Sequence, residues 1–331
     1  MKTILIAVGG NSLIRAGEKG TISEQLANAR RTAAEIASLC AAGHRVVLTH
    51  GNGPQVGAAL LRSERGASEV PGQPLDVCGA CTQGEIGYLL EQSLEAELKR
   101  HGLHVPVATV LTQSVVSADD PAMEHPEKPV GPFYSLAEAE KRQQQFGWKI
   151  VEDAARGYRG VVPSPEPIEI VELEVIRDLV ERSVLVIACG GGGIPVIRKN
   201  GALEGVEAVI DKDRASALLA AQLGVDLFLI STDAEFVFLN YKRPDQRPLQ
   251  KVCASELGEY MEAGHFPPGN MGPKIESVLR FLRDGGKEAI ITYSDHLCEA
   301  VRGTAGTHVF PDQDSLNLAL HLSFEVPIGG R

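Results

Sequence analysis

MKTILIAVGG, residues 1–10, sets the pattern that the rest of the chain repeats. Ile4–Val8 is apolar at every position, and Gly9-Gly10-Asn11 follows at once. A short run without polar alternation predicts a strand buried on both faces. From about Ser23 to Ala42 the spacing predicts a long helix, and Gly43 stands where a glycine favours a helix stop. The unit recurs. Val46–Thr49 leads into His50-Gly51-Asn52-Gly53-Pro54 and another helical run, and Val105–Leu111, Val184–Ala188, Leu227–Ser231 and Ala289–Thr292 extend the series. Strand and helix in alternation predict an α/β fold with a mostly parallel sheet covered by helices on both faces. Such sheets bind ligands at the carboxyl ends of their strands.

The 331 residues allow one large unit or two lobes, and 44% hydrophobic content supplies a sizeable core. A net charge of −11 argues against a sequence-independent hold on nucleic acid, which needs a basic face. Small phosphates remain possible ligands, held by a few lysines and backbone N–H groups. The first strand is too short for a membrane span and lacks an export cleavage site, so a cytosolic setting is expected. Six scattered cysteines include a single CxxC, Cys78 and Cys81, with no partner pair at ligand spacing. They read as packing residues in a reducing compartment, with no protein metal site.

Val116–Pro167 breaks the rhythm. It is rich in Pro, Asp, Glu and Lys, but Phe133, Tyr134, Phe146, Trp148 and Ile150 point to a small packed excursion, a lid, in preference to a disordered loop. Residues 311–331 resemble a tail, with a possible short helix over Leu316–Leu322.

Three glycine clusters close predicted strands: Gly9-Gly10-Asn11, Gly51-Asn52-Gly53 and Gly190–Gly193. One such pair is normally a tight turn. Four glycines in a row after a buried strand exceed what a turn needs, and three clusters at strand ends favour an anion held by backbone donors. The chain lacks GxxxxGK[ST], a GxGxxG followed by a helix and a ribose-binding acid, and a GxSxG elbow. His50 has no evident nucleophile partner and reads as a loop-shaping residue. Asp211-Lys212-Asp213 precedes a helical run, so on its own it reads as a helix cap. Pro268–Lys274 on its own reads as a helix start with a surface lysine.

Taken together, these strings resemble the carbamate kinases of the amino acid kinase superfamily. The similarity spans Ala7 to Ser277 and includes AVGGNSLI (7–14), THGNGPQVG (49–57), PLDVCGACTQGEIGY (74–88), KPVGPF (128–133), VVPSPEP (161–167), CGGGGIP (189–195), GVEAVIDKDRAS (205–216), LNYKRP (239–244) and GHFPPGNMGPKIES (264–277). The resemblance implies an open three-layer αβα sandwich with a protruding subdomain at 116–167 and a homodimer. It implies a carbamate-binding half over 1–210 and a nucleotide-binding half over 211–310. Carbamate or carbamoyl phosphate would lie against Gly9, Gly10, Asn11, Gly51, Asn52, Gly53, Gly191 and Gly192. ATP or ADP would lie near Thr232, Asp233, Glu235, Tyr241, Met271 and Lys274. Many superfamily relatives carry a lysine where this chain has Ala7, so Lys128 and Lys212 are expected to supply that charge. The chain departs from the pattern at Ser231–Glu235, where a Val often precedes the acid, and at Asn270 and Cys81, where a serine and a methionine are expected.

By the same resemblance, Lys128, Lys212 and Lys274 meet the transferring and leaving phosphate oxygens. Asp213 holds the lysines, Asp211 does likewise or meets substrate, and Mg²⁺ accompanies the nucleotide. Carbamate is already an anion, so no general base is required. The implied role is ATP formation from carbamoyl phosphate during arginine or purine breakdown. Another small-acid kinase of this fold, or a non-catalytic nucleotide sensor, stands as the alternative.

Overall fold

The computed structural model describes residues 1–10, 13–15, 17–152, 157–266 and 271–312. Asn11, Asn270, the possible helix at 316–322 and the tail beyond Asp312 lie outside them. The main sheet contains β1 (Thr3–Val8), β2 (Arg45–His50), β3 (Val107–Thr109), β9 (Leu185–Ile187), β12 (Leu227–Thr232), β15 (Lys251–Cys253), β16 (Ala289–Tyr293) and β17 (Thr307–Phe310), ordered β15-β17-β16-β12-β1-β2-β9-β3. β1 lies parallel to both β2 and β12, and Ala7 sits between Thr49 and Ile230. The β16–β17 pair is antiparallel, and the other neighbours run parallel.

Period-two geometry sends alternate β1 side chains to opposite faces. Ile4, Ile6 and Val8 join a core with α1 (Ile22–Ala41), α3 (Leu75–Arg100) and α10 (Leu297–Val301). Leu5 and Ala7 join the other core, with α6 (Leu173–Glu181), α7 (Lys212–Leu223), α8 (Ala254–Glu262) and α9 (Met271–Arg283). The result is the three-layer αβα sandwich. Among the described residues no helix is long and apolar enough to cross a membrane.

Local signals mark both ends of α1. Thr21 and Glu24 form a capping box at the start of α1, and Gly43 follows its end at φ 85°. The strand expected over Val105–Leu111 is shorter, Val107–Thr109. The chain leaves the sheet because Thr112 is held by Gln83, whose Oε1 accepts its N–H at 2.8 Å. It continues as β4 (Gln113–Val116) in a second sheet with β8 (Pro167–Ile170), β10 (Ile194–Lys199) and β11 (Ala202–Gly205), which the sequence reading did not foresee. A hairpin, β13 (Val237–Leu239) and β14 (Arg247–Leu249), follows β12.

The excursion between β4 and β8 holds α4 (Pro121–Glu124), β5 (Lys128–Tyr134), α5 (Leu136–Phe146), β6 (Lys149–Glu152) and β7 (Tyr158–Val162). Its strands form an antiparallel sheet of their own, β5-β7-β6. The Arg142 guanidinium lies over Tyr134 and Trp148, 4.3 and 5.4 Å from their ring centres. It also pairs at 2.8 Å with Glu64 of α2 (Gly53–Gly66), tying the subdomain to the main body.

At the amino end of the sheet, Glu288 sits 2.9 Å from both Lys2 Nζ and His308 Nδ1. The hydrogen bond from His308, with Lys2 adding its charge against the cost of burial, holds the carboxyl down to about 2. An unfolded glutamate titrates near ~4.3. A depressed folded value means stability that is complete at neutral pH and lost as pH falls from ~4.3 through about 2. Glu288→Gln should therefore be less stable than the parent by about 1–3 kcal/mol at pH 7. That gap should close on acidification, as read by denaturant unfolding across pH. A gap independent of pH would remove the carboxylate from this role.

Candidate active site

The cavity at the carboxyl ends of the strands has a volume of about 400 Å³. Of the residues expected from the sequence, Gly10, Gly51, Asn52, Gly53, Gly191, Lys128, Asp211, Lys212, Asp213 and Lys274 all line it. Gly9 and Gly192 do not line it, though each adjoins a residue that does, and Asn11 lies outside the described residues.

The charged groups arrive on three elements: Asp211, Lys212 and Asp213 at the start of α7, Lys128 on β5 and Lys274 on α9. Asp211 caps α7, its Oδ1 accepting from the N–H groups of Asp213 and Arg214 at 2.9 and 3.4 Å. Its other oxygen accepts from Lys128 Nζ at 2.7 Å. The plain capping role and a site role therefore coexist in one carboxylate. Asp213, 4% exposed, accepts from Lys212 through one oxygen and from Lys274 of α9 at 2.9 Å through the other. Three ammonium groups thus face two carboxylates, which leaves the cluster one positive charge in excess. Lys212 and Lys274 are 12% and 13% exposed at the side chain, Lys128 41%, so Lys128 is the one most open to solvent.

Burial and pairing compete in this cluster. Burial pulls the Lys212 ammonium below the ordinary lysine range, although Asp213 works against it. Burial acts on Lys274 too, but Asp213, Asp211 and Asp233 outweigh it and the value rises. Both carboxyls are likewise opposed by burial, yet the lysines hold them below the usual range, Lys128 foremost for Asp211 and Lys212 for Asp213. Ala7 is fully buried in β1 and offers nothing at this strand end. Lys212 reaches the neighbourhood instead: its Cδ lies 3.4 Å from where a Cβ on Gly51 would stand.

The glycine loop after β9 is clamped from below. Gln83 Nε2 donates to the carbonyls of Thr112 and Gly190, both at 3.0 Å. Thr112 Oγ1 accepts from the Cys189 N–H at 2.9 Å, and Ser114 Oγ donates to the Gly192 carbonyl at 2.9 Å. Gly191 has φ 66°, a left-handed conformation that favours glycine, and a Cβ there would stand 2.2 Å from Asn52 Nδ2. His50 is fully enclosed beneath this loop. Burial pushes its imidazole down to about 4, so it is neutral at pH 7, with Nδ1 3.1 Å from the Gly51 carbonyl.

A second cavity, about 130 Å³, is lined by Asp233, Tyr241 and Met271, three of the residues singled out in the sequence, and by Phe236, Phe238, His265 and Phe266. Thr232 and Glu235 do not line it, and Thr232 Oγ1 donates to Asp233 at 3.2 Å. α9 joins the two cavities, with Met271 at one and Lys274 at the other.

The sequence reading missed Gln83, Thr112 and Ser114 under the loop and the aromatic lining of the second cavity. Gln83 carried no signal beyond lying in a family-like string. Cys78 packs in a small core with Val56 and Leu75, and Cys81 is exposed. Among the described residues no three His, Cys, Asp or Glu groups are placed to hold a metal ion.

Comparison with known proteins bears on this arrangement. The amino acid kinase family profile matches residues 2–293. A carbamate kinase of Thermococcus kodakarensis is 50% identical over 312 residues, 93% of this chain and 99% of that one. A carbamate kinase of Pyrococcus horikoshii is 48% identical over 310 residues, 93% of this chain and 99% of its own. The solved structure of Giardia lamblia carbamate kinase bound to AMP-PNP superposes with a TM-score of 0.89 at 43% identity, covering 94% of this chain and 99% of that one. With a profile running through most of the chain and near-complete relatives at about half identity, the chain belongs to the carbamate kinases of the amino acid kinase family.

Proposed function

We propose that this chain transfers a phosphoryl group reversibly between ATP and carbamate, and that in the cell it forms ATP from carbamoyl phosphate and ADP. The observation that carries this is Asp213 holding Lys212 and Lys274 side by side at a glycine-rimmed cavity, with Lys128 reaching in from the excursion. A carbamate oxygen attacks the γ-phosphorus, a new P–O bond forms, and the bond to the bridging oxygen of ADP breaks with its electron pair leaving on ADP. The chain supplies position and charge and no covalent intermediate. Lys128, Lys212 and Lys274 donate to the phosphoryl and leaving oxygens, and Asp211 and Asp213 aim the lysines. Gly9, Gly10, Asn11, Gly51–Gly53, Gly191 and Gly192 form the carbamate side. Thr232, Asp233, Glu235, Tyr241 and Met271 form the nucleotide side, with the Phe236–Phe238 face against the base. In this reading residues 1–210 serve carbamate and 211–310 the nucleotide, and 116–167 acts as a lid.

Mg²⁺ enters as the companion of the nucleotide phosphates. Both site carboxylates are already engaged by lysines, which fits a cation held by phosphates and its own waters. When bound it neutralises phosphate charge. The homodimer, the cytosolic setting and the place in arginine breakdown belong to the same proposal.

Purified protein should form ATP from ADP and carbamoyl phosphate, and chelation of Mg²⁺ should abolish it, in a coupled assay. Far better turnover of acetyl phosphate or of phosphorylated acetylglutamate would refute the carbamate assignment.

A further inference from the structure

α2 does two things at once. Its first residue, Gly53, lines the cavity, and its next turns are the seat on which the excursion rests. Val56 and Leu60 pack with Val162 of β7, and Glu64 pairs with Arg142 of α5 at 2.8 Å. Gly57 stands two helical turns before Glu64, on the same face. A Cβ placed on Gly57 would stand 2.6 Å from the Cα and 2.7 Å from the nitrogen of Gly131 in β5. Those are backbone atoms, which cannot swing aside as a side chain can. Gly131 is three residues past Lys128. The backbone there is also braced from β7, where Arg159 donates to the carbonyls of Gly131 and Pro129 at 3.1 and 3.4 Å. Alanine is the better helix former, so a glycine inside α2 calls for a local reason, and this contact provides one.

We infer that Gly57 is a positioning residue for Lys128: with no side chain, it lets β5 lie directly on the α2 backbone and so sets how far the Lys128 ammonium reaches over the cavity. The inference rests on the phosphoryl-binding role proposed for Lys128. A methyl at position 57 must lift β5, and the lysine with it, by a fraction of an ångström or more. Displacements on the ångström scale cost up to about 10²-fold in rate.

The test is a kinetic cycle on the full-length protein. Gly57→Ala should lower kcat for ATP formation by about 10- to 10²-fold, with ADP affinity by calorimetry unchanged and the fold retained. Gly258→Ala in α8, where a Cβ meets nothing within 4 Å, is the control for a helical glycine and should keep the parent rate. The decisive arm is Gly57→Ala placed in Lys128→Ala, where the second substitution should change kcat by less than about twofold. Parent-like kcat in Gly57→Ala, or losses that multiply, would overturn the inference. Should Gly57→Ala not fold, Glu64→Gln loosens the other end of the seat. It should cause a smaller loss that Lys128→Ala also masks, and a loss independent of Lys128 again overturns the inference. If Lys128→Ala itself turns over normally, the role of Lys128 fails and the inference with it. If Lys128→Ala is impaired while Gly57→Ala is not, only the inference fails.

Discussion

Replacing Asp213 with asparagine should lower kcat by about 10² to 10³, the largest single effect expected at this site. Asp213 is the joint of the cluster, buried and accepting from Lys212 and Lys274 at once. Asparagine keeps the shape and removes the charge. Two enclosed ammonium groups then face each other without their counter-ion, the situation in which a broken buried pair is most costly. Lys212 is already held below the ordinary lysine range by burial, and Asp213 is the main influence keeping it protonated. Without that carboxylate the Lys212 value falls further, so the proton is lost at lower pH. The alkaline limb of the pH–rate profile should accordingly move to lower pH in the variant. Steady-state kinetics across pH, with unfolding followed in parallel, reads both effects. A variant within about threefold of the parent, with an unmoved alkaline limb, would show that Asp213 does not organise the lysines.

Lys128→Ala is the second large effect, a loss of roughly 10² in kcat. The fold should survive, because the Lys128 side chain is 41% exposed, although its partner Asp211 is only 15% exposed. Asp211 also remains bonded to the α7 N–H groups after the lysine is removed. ADP affinity should hardly change, since Lys128 comes from the excursion and the aromatic cavity is built from other elements. Kinetics and ADP calorimetry on one preparation separate the cases. Near-normal kcat would end the lid role. Loss of ADP binding at unchanged kcat would move Lys128 to the nucleotide side.

Much of the site could be read in the chain because its polar residues are local to strand ends. Gly10, Gly51, Asn52, Gly53 and Gly191 each follow a buried strand directly, and parallel strands deliver their carboxyl ends to one edge. The roles of the charged residues were less legible. Asp211-Lys212-Asp213 reads as a helix cap on its own, and Asp211 does cap α7. Its second oxygen is engaged by a lysine 83 positions away, which no local reading could supply.

The sequence by itself determined the strand-and-helix alternation of the main sheet and several element ends. Apolar periodicity, Thr21 and Glu24 at a helix start and Gly43 past its end act within a few residues of one another. Only the tertiary structure decided that Lys274 meets Asp213 across 61 positions, that Gln83 grips the Gly190 carbonyl across 107, and that β5 rests on Gly57 with no side chain between. Those relations depend on how whole elements dock. Docking is set by the packing of both faces of the sheet at once, so the distance between two side chains is a property of the assembled core, whereas the preference of one residue for helix, strand or turn is settled by its own backbone and its near neighbours.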